Sequence, residues 1–175
     1  MSSAKLTPFS HIVLVLVGEG GAGAHDLVRM MRRGRVYWTA PESQYYAEPK
    51  RLAEQGYLTA SERPGRTHAR THYELTDQGR DAIRGWLTTP VRFARIQNEA
   101  IVRALASEYA DRGVVVAGLE GLRDEIAELK AGLGEAAALE PDLPHRERAL
   151  RLNRRLAERI LDAHLEWLDG VEREL

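Results

Sequence analysis

The sequence predicts a mainly α protein in two parts, and three observations carry that expectation. Apolar residues recur at helical spacing through most of the 175 residues. One pair of strand-like runs, YLTASE and ARTHYEL, interrupts them. The second half then carries long stripes of leucine and isoleucine spaced three and four apart. Charge divides along the same line. Residues 1–90 hold 12 Lys and Arg against 9 Asp and Glu, a balance of +3, and residues 91–175 hold 13 against 17, a balance of −4. Only the first part is therefore expected to meet a polyanion.

The elements follow in order. Pro8 precedes residues 9–17, which are apolar almost throughout and read as buried, with helix and strand both open on periodicity. Residues 24–33 place Leu27, Met30 and Met31 on one helical face, with Arg29, Arg32 and Arg33 outside it, and Gly34 is a natural stop. RVYWTAPE reads as a short extended piece leading to Pro41, a favourable first helical position, with Glu42 in the first turn. In the helix that follows, Tyr45, Pro49 and Leu52 form one apolar stripe, and Gly56 closes it. Pro64-Gly65 joins the two strand-like runs as a hairpin. Thr76 and Asp77 offer caps for a helix holding Ala82, Ile83, Trp86 and Leu87, which ends at Pro90.

Beyond it, residues 93–109 are helical in pattern, and VVVAGL at 114–119 is a further strand candidate. Leu119, Leu122, Ile126, Leu129 and Leu133 make a short seam of the coiled-coil kind. GLGEAAALEPDLP breaks that helix. From about Arg146, Leu152, Leu156, Ile160, Leu161, Leu165, Leu168 and Val171 mark a long final helix. Domains are thus expected at 6–90 and 91–175.

GEGGAG at 18–23 matches G-x-G-x-x-G, and Glu42 lies 24 residues after Gly18, near the distance of a ribose-binding carboxylate. A dinucleotide fold needs several parallel strands joined by helices, which the rest of the chain lacks. The glycines are therefore read as a tight turn between buried helices, and no cofactor is expected.

Three helices followed by a hairpin is the order of a winged helix-turn-helix. ESQYYAEPKRLAEQGYL and HYELTDQGRDAIRGWL resemble the PadR-like family of transcriptional regulators, and LRLN…LDAHLEWLDGVEREL is similar to that family's virulence-activator-type dimerisation helix. The resemblance covers nearly the whole chain, and HYELTDQGRDAIRGWL is its most specific part. It implies a winged helix-turn-helix with a small antiparallel β-hairpin wing and a C-terminal helical dimerisation region. The corresponding activity is a sequence-specific DNA-binding regulator: a ligand-responsive repressor acting as a homodimer on a palindromic operator, relieved by a small aromatic effector. The sequence departs from the family pattern at Ala24-His25, where Gly-Tyr is common, and at Pro49, where a Leu is usual.

The residues support the same reading. With Tyr45, Pro49 and Leu52 turned inward, Ser43, Tyr46, Ala47 and Lys50 face outward, a set able to enter a major groove, and Gln44 flanks that face and can pair with adenine. Arg51 joins them as a DNA-binding expectation. RPGRTHAR sets Arg63, Arg66 and Arg70 together without an acid, and His68 adds to the potential, so the loop can lie along phosphates or in a minor groove. An interior proline costs about 3 kcal/mol in an ideal helix. Either Pro49 kinks the helix near Tyr45, or regular helix begins only near Tyr46 and Pro49 sits harmlessly in its first turn.

Other chemistry is not found. The chain has no cysteine, which excludes disulfides and thiolate catalysis. His68 and His72 lie four residues apart, about 13 Å on a strand, too far to share a metal ion. No catalytic residue is expected. Trp38, Trp86 and Trp167 read as core anchors or, by the resemblance, as the lining of an effector cavity near the dimer interface. The composition is 43% hydrophobic and 29% charged, with no apolar run able to span a bilayer and no secretory-signal pattern, so a cytoplasmic protein is expected. Two other classes stay open: a helical interaction protein with a degenerate DNA module, and a nucleotide-binding protein using residues 18–23.

Overall fold

In the computed structural model, residues 5–33, 36–64, 69–138 and 145–175 are described. The chain divides into two compact units: residues 1–34 with 38–92, and residues 35–37 with 93–175.

The first unit begins with α1 (Pro8–Val17). Thr7 caps it by accepting the Ser10 amide, and the Ser10 hydroxyl in turn accepts the Thr7 amide, a reciprocal capping box with Pro8 at the first helical position. That cap decides what periodicity left open: the β-branched run is a helix. Its Val13, Leu14 and Val17 are buried.

The glycine-rich segment does more than turn the chain. Residues 22–23 form a short strand, β1 (Ala22–Gly23), before α2 (Ala24–Arg33). β1 pairs antiparallel with the wing, Ala22 opposite Tyr73 and Gly23 opposite His72, so the sheet has three strands where the sequence predicts two. Gly21 has φ +68°, and a Cβ there would stand 2.3 Å from His72 Nε2 and 2.8 Å from the Tyr73 carbonyl, so a side chain cannot replace it without displacing the wing. The glycine motif thus ends in an antiparallel edge strand, with no parallel neighbour among the described residues. Asp26 fills the start of α2, its Oδ2 accepting the Gly23 amide at 3.2 Å. A carboxylate already holds the place a pyrophosphate would take, and the nucleotide reading is withdrawn.

α3 (Glu42–Glu54) is helical from Glu42 and holds Pro49 in its interior; regular helix does not wait until Tyr46. The hairpin follows as β2 (Leu58–Arg63) and β3 (Arg70–Leu75), antiparallel from Leu58 opposite Leu75 to Arg63 opposite Arg70. Thr76 caps α4 (Asp77–Leu87) and donates its hydroxyl to the Gly56 carbonyl, tying the end of α3 to the start of α4. Glu19 fastens the glycine turn to α4 through a bidentate pair with Arg80, the shortest contact being 2.7 Å. The core collects Val13, Leu14, Leu27, Tyr45, Leu52, Leu58 and Tyr73, with Phe9 meeting Tyr45 edge to face.

In the second unit, residues 93–98 form no helix; α5 (Glu99–Leu105) starts only at Asn98, whose side chain caps it, and a 3-10 turn (Ala106–Tyr109) follows. VVVAGL is not a strand: it falls within and just after α6 (Arg112–Ala117). α7 (Glu120–Ala137) carries the leucine seam, and α8 (Glu147–Glu174) spans 28 residues, roughly 42 Å. Arg123 reaches Asp169 and Glu172, while Lys130 reaches Asp162, so α7 and α8 run antiparallel. Ile126 and Leu133 meet Ala157, Leu161 and Leu168 between them. The seam therefore finds a partner within the chain. Val36 packs into this core, and Tyr37 donates its hydroxyl to the Asn153 carbonyl.

No helix among the described residues is long and apolar enough to cross a membrane.

Candidate nucleic-acid interface

The site is built from α3 and the wing. On α3, burial of Tyr45, Pro49 and Leu52 turns the helix so that Ser43, Gln44, Tyr46, Ala47 and Lys50 are all exposed. Tyr46, at 47% exposure, lines a cleft of about 510 Å³. Arg63 and Arg70 of the wing line the same cleft, with His25, Thr71 and His72 and the acidic Asp26 among the rest of its wall. The α3 tyrosine and the wing arginines thus share one concave surface.

The wing's electrostatics has a feature that sequence spacing hides. Register sets Arg63 directly opposite Arg70, and like charges facing across an antiparallel pair destabilise it. Arg63 meets the Glu74 carboxylate at 2.6 Å, on the same face of the sheet. Glu74 lies outside RPGRTHAR, so the loop read as free of acids has one brought to it by strand pairing. Arg70 has no ion-pair partner among the described residues. Arg66 and His68 lie outside the described residues.

Arg51 is placed differently from the other expected contacts. It is partly buried and turned toward α1, its guanidinium donating to both Glu48 oxygens at 2.8 and 2.5 Å and to Ser10 Oγ at 3.1 Å. Burial pushes the Glu48 carboxyl up, but hydrogen bonds from Arg51 and Ser10 outweigh it and hold the group below its ordinary value. Residues that sequence reasoning missed are His25 and Thr71 in the cleft wall, and Glu48 and Ser10 beneath the helix. Thr71 was open to reading from strand alternation next to Arg70. The others depend on contacts between elements distant in sequence.

Trp86 stacks on His11 with ring centroids 5.0 Å apart, Trp167 packs against the second unit's core, and Trp38 is partly exposed. None of the three lines the cleft between α3 and the wing. Among the described residues no cluster of three or more metal-ligating side chains occurs.

Residues 13–85 match the model of the transcriptional regulator PadR-like family. The fold is similar to that of Bacillus subtilis PadR in complex with operator DNA, at 18% identity, TM-score 0.80, and coverage of 95% of this chain and 98% of that one. PadR in complex with p-coumaric acid is also similar, at 20% identity, TM-score 0.63, and coverage of 94% and 98%. The PadR-like transcriptional regulator BC1756 from Bacillus cereus matches at 15% identity, TM-score 0.83, and coverage of 99% of both chains. The Vibrio cholerae virulence activator AphA matches at 24% identity, TM-score 0.70, and coverage of 94% and 96%. No curated protein matches significantly.

Proposed function

We propose that this protein, whose residues 13–85 belong to the PadR-like family of transcriptional regulators, binds operator DNA in the cytoplasm as a homodimer and yields to a small aromatic effector. Members of that family are transcriptional regulators rather than enzymes. The observation that carries the reading is the shared cleft, lined by Tyr46 of α3 together with Arg63 and Arg70 of the wing. In that arrangement Ser43, Gln44, Tyr46 and Lys50 meet base edges in a major groove while the wing follows the flanking backbone. Phosphate takes over the role of Glu74 toward Arg63, relieving the repulsion between facing arginines.

Dimerisation is supported by what the second unit leaves uncovered. Leu105 of α5 is 76% exposed and Tyr109 83%; Ile101, Val102 and Val114 join them, as do Leu152 and Leu156 on α8. Apolar side chains gathered on short neighbouring helices mark an interaction surface, and a second copy covers it with two-fold symmetry. Two recognition helices set about 34–36 Å apart then read a palindrome. An effector acts by binding better to a dimer with the wrong spacing; the p-coumaric acid complex of PadR supports an aromatic class, and repression is the sign expected of a protein that occupies a promoter.

A labelled-DNA shift assay on the region upstream of its own gene tests the reading. Specific retardation is expected, and neutralising Arg63, Arg66 and Arg70 together should weaken binding to all sequences and flatten its salt dependence by about 0.9 per lost phosphate contact. Gln44 and Lys50 variants should instead change which sequence is preferred. An unchanged slope in the triple variant removes the wing from the interface.

A further inference from the structure

Ser10 is a fully buried polar residue at the crossing of α1 with the recognition helix. Its Oγ accepts the Thr7 amide at 2.9 Å, completing the α1 cap, and also accepts Arg51 Nη2 at 3.1 Å. Arg51 uses the rest of its fork locally: Nε and Nη2 donate to Glu48 and Nη1 donates to Gln55 at 2.9 Å. Four of its five N–H donors are therefore committed inside the protein. Lys50, the adjacent cation, is exposed.

The position of this clamp along α3 has a consequence for the helix. Pro49 has no N–H to offer the Tyr45 carbonyl, so α3 lacks an internal bond on its buried face, midway along the helix. Glu48 stands immediately before the proline and Arg51 two residues after it, and both are joined to α1 through Ser10. Side-chain bonds to α1 thus hold the helix on both sides of that gap.

We propose that Arg51, Glu48 and Ser10 are positioning residues for DNA reading: they fix the attitude of α3 against α1 so that Tyr46 and Lys50 face the groove, and Arg51 neutralises Glu48 instead of a phosphate. The inference rests on the DNA-binding reading above and assigns Arg51 a part different from that of Lys50 and the wing arginines. Its discriminating consequence concerns Glu48. Removing a carboxylate beside a polyanion strengthens binding on charge alone, whereas breaking the clamp weakens it.

The test uses the full chain and labelled upstream DNA over a range of KCl concentrations, with Arg51→Gln, Arg51→Lys, Glu48→Gln, Ser10→Ala and the Glu48→Gln/Arg51→Gln double variant. Hydrogen exchange of each free protein is measured in parallel. Arg51→Gln and Glu48→Gln are each expected to weaken binding about tenfold with the salt slope of the wild type. The double variant should lose no more than the worse single one. Arg51→Lys keeps the charge without the fork and should rescue little. Amides of residues 46–54 should exchange faster in Arg51→Gln, while those of α7 stay as in the wild type. A slope reduced by about 0.9 in Arg51→Gln, tighter binding by Glu48→Gln, or unchanged exchange along α3 overturns the proposal. Should the wild type show no specific shift, the regulator reading fails, and the exchange data still decide the clamp. Should Arg51→Gln fail to fold, Ser10→Ala and Glu48→Gln give the same two readouts.

Discussion

The two units satisfy their apolar residues in different ways. In the first, four helices and a three-stranded sheet enclose one core, and Val13, Leu14, Leu27 and Leu52 have no exposed surface. In the second, the core is essentially the seam between α7 and α8, and α5, the 3-10 turn and α6 keep large apolar side chains outside. A pair of helices has a single mutual face, so any further stripe needs another partner. The first unit's stability is therefore expected to belong to one chain, and the second's to depend on protein concentration.

The sharpest way to break that contrast is Leu105→Glu combined with Tyr109→Glu. In sedimentation velocity the wild type should run as a dimer and the variant as a monomer, with operator affinity falling about 100-fold or more as two linked half-sites become one. A dimer that survives both changes moves the interface elsewhere. Leu52→Ala comes next, expected to cost about 2–5 kcal/mol in urea unfolding of the first unit through a cavity that α1 and the sheet cannot collapse. Its effect should be independent of protein concentration. Gly21→Ala should cost about 1–2 kcal/mol for its positive φ alone, and more because the methyl group meets His72 and the Tyr73 carbonyl. The readout is lost exchange protection at Ala22 and Tyr73.

The smallest expected effect is acid sensitivity at Glu48. Its carboxyl lies below the ordinary 4.5 in the folded chain, so its stabilisation is complete above that pH and is lost as pH falls through the folded value. Glu48→Gln should therefore flatten the pH dependence of unfolding below about pH 4.5, and an unaltered profile would separate Glu48 from the clamp.

Much of the first unit was legible because its signals are local. Thr76 before Asp77 names a helix cap, Tyr45, Pro49 and Leu52 name a buried stripe, and Pro64-Gly65 names a hairpin, each within a few residues. That stripe fixed in turn which α3 residues face outward. The failures share a cause. The helix expected over 93–109 begins at Glu99, because a run of mixed apolar and basic residues does not show where its first partner lies. The leucine seam advertised a partner without saying whose chain supplies it, since knobs from α8 and from a second copy are chemically alike.

Cap chemistry and hydrophobic period belong to neighbouring residues, and so the sequence by itself determined the order of helices and wing and the outward set on α3. Pairing of β1 with β3, the docking of α7 on α8, the approach of Glu74 to Arg63 and the turning of Arg51 onto Ser10 all join residues far apart along the chain. Those were decided only by the tertiary structure, because loop closure and packing select among partners that are equivalent in composition and differ only in where the folded chain brings them.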